Sequence, residues 1–316
     1  MPTVSASGLR ARFEAFTAPP TPAVAVEIAA GHVAVGRLRA AGSGHLHGLR
    51  AGARSLLPGA VVASAVRTNL ADLAVVADPL RVLLEELGAV DAQVTLLVPD
   101  LTARLALLTF EQLPAKSEEL APLARFRLRK SLPFAEEQAV ISCQPLTATR
   151  LLVAFADRAR IDEYEDCLEQ AGARAAAVLP AGLACLSAHP VLDDAALLLR
   201  ADSGCLTSAF CRHGRIEFFR ALEIGVAPVF EDAFPSVAYF RDALETGAEA
   251  APATPVLFTS GLPVELTARL AQESPWATWQ AAEIPASGLD TAGGDDGGSS
   301  GDALLAVAGA LRGRFS

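Results

Sequence analysis

The sequence predicts a mixed α/β fold built from two related units with a compact subdomain inserted between their hairpins. Three observations predict it. Strand-like runs flank single helix patterns near both ends of the chain, as mixed α/β layers require. Two strand–turn–strand units with small residues in the turn lie about 170 residues apart, at Glu27-Ile28-Ala29-Ala30-Gly31-His32 and Asp202-Ser203-Gly204-Cys205-Leu206-Thr207. The middle third carries a different order, αββαβ.

Composition bounds the possibilities. The 316 residues suit about two domains. The chain is 52% hydrophobic with mean hydropathy +0.35, ample for a large core. Its longest apolar runs, such as Gly59 to Val66 and Ala303 to Leu311, fall far short of the roughly 18–20 residues of a spanning helix. No apolar secretory stretch opens the chain. These features lead us to expect a soluble, cytoplasmic protein. The net charge is −10, and only Arg125 to Lys130 is locally basic, which disfavours nucleic acid. The five Cys form no CxxC pair and no Cys/His ligand spacing, so no metal site is expected.

The elements follow in order. Leu9, Phe13 and Phe16 share one helical face in a tail over residues 1–22 that ends in prolines; a loosely docked tail is the leading reading of that segment, and a foot lying on a membrane or partner the sharper alternative. Strands are expected at Val24 to Ile28 and Val33 to Arg39, with glycines 42, 44 and 48 marking the next turn. Asp78 as cap, Pro79 at the first turn and the face Leu80, Leu83, Leu84 and Leu87 predict a helix stopped by Gly88. Strands at Val94 to Val98 and Leu105 to Phe110 complete a first subdomain over 23–112. The insert over 113–180 begins with a helix from Ser117 toward Ser131, started late by Pro122 and ended by Pro133. A hairpin, a helix stopped by Gly172 and a strand at Ala175 to Leu179 follow. The second unit, 181–284, repeats strands around the His213-Gly214 turn, then a helix containing Phe230 to Leu244, a strand at Val256 to Phe258 and a helix from Pro263. Residues 285–302 read as a flexible loop, and a last helix occupies 303–316.

No GxxxxGK[ST], GxSxG or HExxH occurs, and no catalytic constellation can be singled out. The duplicated hairpins, with a third turn at Ser260-Gly261, are the way actin-like ATPases wrap phosphates with backbone N–H groups. Leu113-Pro114-Ala115-Lys116-Ser117-Glu118-Glu119, the run Arg125-Phe126-Arg127-Leu128-Arg129-Lys130-Ser131-Leu132-Pro133-Phe134, and Phe218-Phe219-Arg220 resemble the PilM family of type IV pilus assembly proteins, relatives of FtsA. The resemblance spans about Val24 to Arg312. It implies an actin-like fold with subdomains 1A and 2A, an inserted 1C and a reduced 2B.

The resemblance also implies a nucleotide site at Glu27, Ala29, Ala30, Gly31, His32, Asp202, Ser203, Gly204, Thr207, Ser260 and Gly261. The family pattern is altered there. Glu27 stands at an Asp, Ala29 at a Gly and Ala34 at a Lys, so a Cβ is added and a charge lost where phosphate should approach. In the second turn Asp202-Ser203-Gly204 with Thr207 matches the motif, whereas spacing to the His213-Gly214 turn puts Arg200 at the acidic position. No cofactor and no catalysis are therefore expected, with Mg-ATP binding as the alternative. The family further implies a PilN-type N-terminal peptide held between 1A and 1C, among other inner-membrane pilus partners. Arg125, Phe126, Arg129 and Phe134 are the candidate contacts. The leading expectation is an adaptor; the alternatives are an actin-like nucleotide switch and a type II secretion component of similar fold.

Overall fold

The structure, a computed structural model, describes residues 22–38, 49–188, 195–212, 214–225, 227–246, 255–282, 284, 289–291 and 301–312. The tail over 1–21, the glycine turn at 42–48 and most of the loop over 285–300 lie outside the described residues.

The first lobe begins with a meander, β1 (Val24–Ile28), β2 (His32–Leu38) and β3 (Leu49–Ser55). Helix α1 (Leu73–Glu86) leads into β4 (Gln93–Val98), which pairs parallel with β1. The second lobe repeats this plan with β9 (Ala195–Asp202), β10 (Cys205–Arg212) and β11 (Arg215–Glu223). There α5 (Phe230–Thr246) leads into β12 (Val256–Ser260), α6 (Val264–Glu273) and β13 (Thr278–Ala281). Strand orders are β14-β3-β2-β1-β4-β8 and β11-β10-β9-β12-β13. Without its edge strand β14 (Leu289–Thr291), the first sheet has the order of the second. The fold is duplicated.

The inserted subdomain is smaller than the sequence suggested. It comprises β5 (Arg104–Thr109), α2 (Leu120–Leu128), β6 (Ala139–Pro145) and β7 (Arg150–Asp157), in the sheet order β5-β7-β6. The expected αββαβ unit over 113–180 is corrected at both ends. Strand β5 pairs with β7 rather than with the first sheet. Helix α3 (Arg158–Ala171) shares an apolar cluster with α1 through Ile161, Tyr164 and Leu168, and β8 (Arg174–Pro180) pairs parallel with β4. The apolar faces of α3 and β8 find their partners in the first lobe, so the insert closes at Asp157. Arg150 then ties the insert to the second lobe, its Nη1 2.6 Å from Glu217 Oε2.

One helix boundary and one loop assignment also change. α1 starts at Leu73, where Asp72 accepts from Ala74 N at 3.0 Å, and Pro79 lies inside it. The carbonyl that Pro79 deprives of a donor belongs to Val75, on the solvent side, where water can serve. The segment read as a loop over 285–302 contains β14, parallel to β3.

Period-two alternation fixes the layers. Val24, Val26 and Ile28 face α1 and α3; Ala25 and, from β2, Ala34 face α4 (Ala181–Leu186) and α7 (Gly301–Arg312). In the second sheet Leu197 and Leu199 face α5 and α6, while Ala196 and Leu198 face the α4–α7 layer. The helices α4 and α7 thus lie between the two sheets, which explains why α7 is apolar nearly all round. Small residues set the closeness of this layer. A Cβ on Gly309 would fall 1.9 Å from the Ala184 carbonyl oxygen, and one on Gly36 3.1 Å from Leu311 Cδ1. Among the described residues no helix is long and apolar enough to cross a membrane.

Gly309→Ala therefore forces α7 away from α4. Thermal denaturation should show a loss of roughly 1–3 kcal/mol, the usual cost of overpacking.

Candidate functional site

The inward faces of β1 and β9 carry apolar residues, Ala25 on one and Ala196 and Leu198 on the other, until Glu27 and Arg200. Both lie close to the hairpin turns. Register settles the alternative left by the sequence. Glu27 stands opposite Ala34 on β2, and Arg200 stands opposite Thr207 on β10, each the same distance from its turn. Arg200, not Asp202, is the counterpart of Glu27.

These residues meet across the lobes. Arg200 Nη2 lies 2.7 Å from Glu27 Oε1 and 3.1 Å from Asp202 Oδ2, and Glu27 and Arg200 are buried. His32 Nε2 lies 3.5 Å from Glu27 Oε2, an ion-pair distance. Burial alone would raise the Glu27 carboxyl, but Arg200 and His32 outweigh it and hold it below its ordinary value. Burial would likewise lower His32; the Glu27 carboxylate, with Asp202 behind it, prevails and holds the imidazole above its ordinary value.

Two further ties flank the pair. The turn at Ser203-Gly204 has positive φ at both residues, the geometry of a two-residue hairpin turn. This aims Ser203 Oγ at the other lobe, where it accepts from Ala30 N at 2.9 Å while donating to Asp202 Oδ2 at 3.0 Å. Asp100, just past the end of β4, accepts from Thr207 Oγ1 at 2.5 Å and from Gly182 N in α4 at 2.9 Å. A Cβ at Gly182 would meet Asp100 Oδ2 at 2.3 Å, so glycine is needed there. Burial raises Asp100 against the opposing pull of Arg200 and these two hydrogen bonds.

The third turn is occupied too. Asp302, at the start of α7, accepts from Ser260 Oγ at 3.0 Å and from Gly261 N at 3.3 Å. Gly261 has φ +67, and a Cβ there would lie 2.2 Å from the Ala201 carbonyl oxygen.

A magnesium–nucleotide does not fit this set. The Ala30 N–H that would face a phosphate is already bonded to Ser203. The buried cation Arg200 is matched to two carboxylates. Asp302 adds negative charge at the turn where an adenosine would lie. Of the eleven residues expected at a nucleotide site, Glu27, Ala30, His32, Asp202 and Ser203 do converge, on one another and on Arg200, while Thr207 meets Asp100. The sequence reading missed Asp100 and Asp302; Pro99-Asp100 looked like an ordinary strand end, and Asp302 like the first residue of a terminal helix.

The candidate peptide contacts separate into two kinds. The guanidinium of Arg125 donates to the carbonyl oxygens of Glu136 and, at 2.9 Å, Ala139, holding α2 to the entrance of β6. Phe134, partly buried, packs against the apolar core of the insert. Phe126 is 59% exposed, and the Arg129 guanidinium stacks over its ring at 4.4 Å. That pair remains free to meet a partner.

The architecture defines an actin-like protein: a duplicated β-meander fold whose two sheets enclose paired helices, with an insert after the fourth strand. No protein-family model and no curated protein sequence matches the chain. Among solved structures it is similar to a chain of a PilM–PilN type IV pilus biogenesis complex, with a TM-score of 0.67 at 17% identity over 93% of this chain and 98% of that one. It is also similar to the cytoplasmic domain of EpsL, an inner-membrane component of the type II secretion system of Vibrio cholerae, with a TM-score of 0.50 at 14% identity, covering 93% and 96% of the two chains. At these identities the likeness is one of fold.

The shifts at the centre carry a pH dependence. His32, raised on folding, contributes stability that is complete below about pH 6.5. That contribution is lost as pH rises through the folded-state value. Glu27, lowered on folding, contributes above its ordinary value and loses this only in acid. Asp100, raised, has the opposite sign, so the parent must be compared with a variant lacking only the imidazole. Melting profiles from pH 6 to 9 should show an alkaline loss in the parent that is absent from His32→Gln.

Proposed function

We propose that the chain is a non-catalytic adaptor of actin-like fold, working at the cytoplasmic side of an inner-membrane type IV pilus assembly, and that it holds the N-terminal peptide of a PilN-type protein. One observation carries the reading. The lobes, the central helices and the insert are all present, yet the position where the fold would take a nucleotide is filled by Glu27, Arg200 and Ser203. Such a molecule keeps its surfaces and gives up the switch. An adaptor needs a stable shape and a groove; it needs neither turnover nor a phosphate.

The similarity to a chain of a PilM–PilN complex supports a peptide partner of that kind. On this reading the peptide would lie between the first lobe and the insert, with the exposed Phe126–Arg129 stack as its aromatic and cationic contact. An aromatic ring held by a guanidinium is a suitable anchor, since it is apolar, partly ordered in advance and flanked by a donor fork. The likeness to the EpsL cytoplasmic domain favours a type II secretion assembly as the second reading; the same adaptor chemistry would serve there.

Calorimetric titration with a PilN-type N-terminal peptide tests the proposal. Binding should occur without nucleotide and be unaffected by Mg-ATP, and Phe126→Ala should weaken it about tenfold or more, as loss of an aromatic anchor does. Circular dichroism should remain that of the parent, because Phe126 is exposed. Binding that appears only with Mg-ATP would refute the adaptor reading.

A further inference from the structure

We infer that the Glu27–Arg200 pair is a tethered substitute for a bound cation, and that it keeps the two lobes closed with no ligand between them. The two residues occupy equivalent positions in a duplicated fold, each on the inward face of a first strand and each opposite the second strand of its own meander. Equal side chains at such sites would face each other with equal charge. Two acids would repel and would need a separate cation between them. Here one of the two is an arginine, and repulsion becomes a 2.7 Å contact.

The surroundings fit a latch rather than an incidental pair. Arg200 is flanked by a second carboxylate, Asp202, at 3.1 Å. Both partners are buried, where an unmatched charge is strongly disfavoured. The planar guanidinium can hold both carboxylates at once, which an ammonium could not do as well. The Ser203–Ala30 and Asp100–Thr207 bonds lie at the same level and also cross between lobes. On one side the insert adds the Arg150–Glu217 tie. Closure is therefore a property of the chain itself. The inference does not depend on which partner the protein serves, and peptide binding plays no part in its test.

The test uses small-angle scattering and thermal melting of the full chain. The parent should show one radius of gyration, unchanged by Mg-ATP or by Mg2+ alone. Arg200→Asp leaves three carboxylates with only the His32 imidazole beside them; it should expand the particle and lower the melting midpoint by about 10 °C, as expected for breaking a buried pair. Arg200→Lys, which keeps the charge and loses the fork, should retain the parent radius with a smaller fall in midpoint. If Arg200→Asp does not fold, Arg200→Gln carries the test: expansion supports the latch, and an unchanged radius overturns it. Contraction of the parent on adding Mg-ATP would also overturn it, since lobes already latched have no further closure to make.

Discussion

A buried guanidinium with two carboxylates, at the point where two halves of a duplicated fold meet, is the constraint on which this structure depends. Arg200 can be buried only because Glu27 and Asp202 are there, and Glu27 can be buried and ionised only because Arg200 and His32 are. Everything nearby follows from keeping that group dry and matched. The turn at Ser203-Gly204 is tight enough to hand a hydroxyl to the other lobe, and Asp100 closes the space beside Thr207. The small residues of the α4–α7 layer let the sheets approach until these contacts form.

The fold class and the duplication were legible in the sequence because both rest on local signals. Hairpins with small turn residues recur, and the alternation on β1 and β9 is plain in the order of residues. The limits of the insert were not legible. Nothing in the pattern of α3 says that its apolar face meets α1, or that β8 returns to β4, since both are contacts between segments far apart in the chain. The start of α1 was misplaced for a local reason. Asp78-Pro79 is a sound helix-opening pair, but Asp72 offers an earlier cap and the solvent side tolerates an interior proline.

The site divides in the same way. Arg200 was visible as an alternative because hairpin spacing is a matter of counting. Its pairing with Glu27 was not, because a salt bridge 173 residues apart is decided by how the lobes close. Arg125 shows the reverse case. A basic run on an acidic chain suggests a binding surface, yet one of its arginines is spent on backbone carbonyls within the insert. Composition cannot distinguish an arginine that holds its own fold from one left on the surface; Arg129, exposed and stacked on Phe126, is of the second kind.

The central claim is that this chain's own groups, rather than a nucleotide, join the lobes, and the amide of Ala30 reports on it most directly. Bonded to Ser203 Oγ, it should exchange with deuterium as slowly in the nucleotide-free protein as the amides of β1, and Mg-ATP should leave its rate unchanged. Fast exchange in the free protein that becomes slow only when Mg-ATP is added would contradict the account.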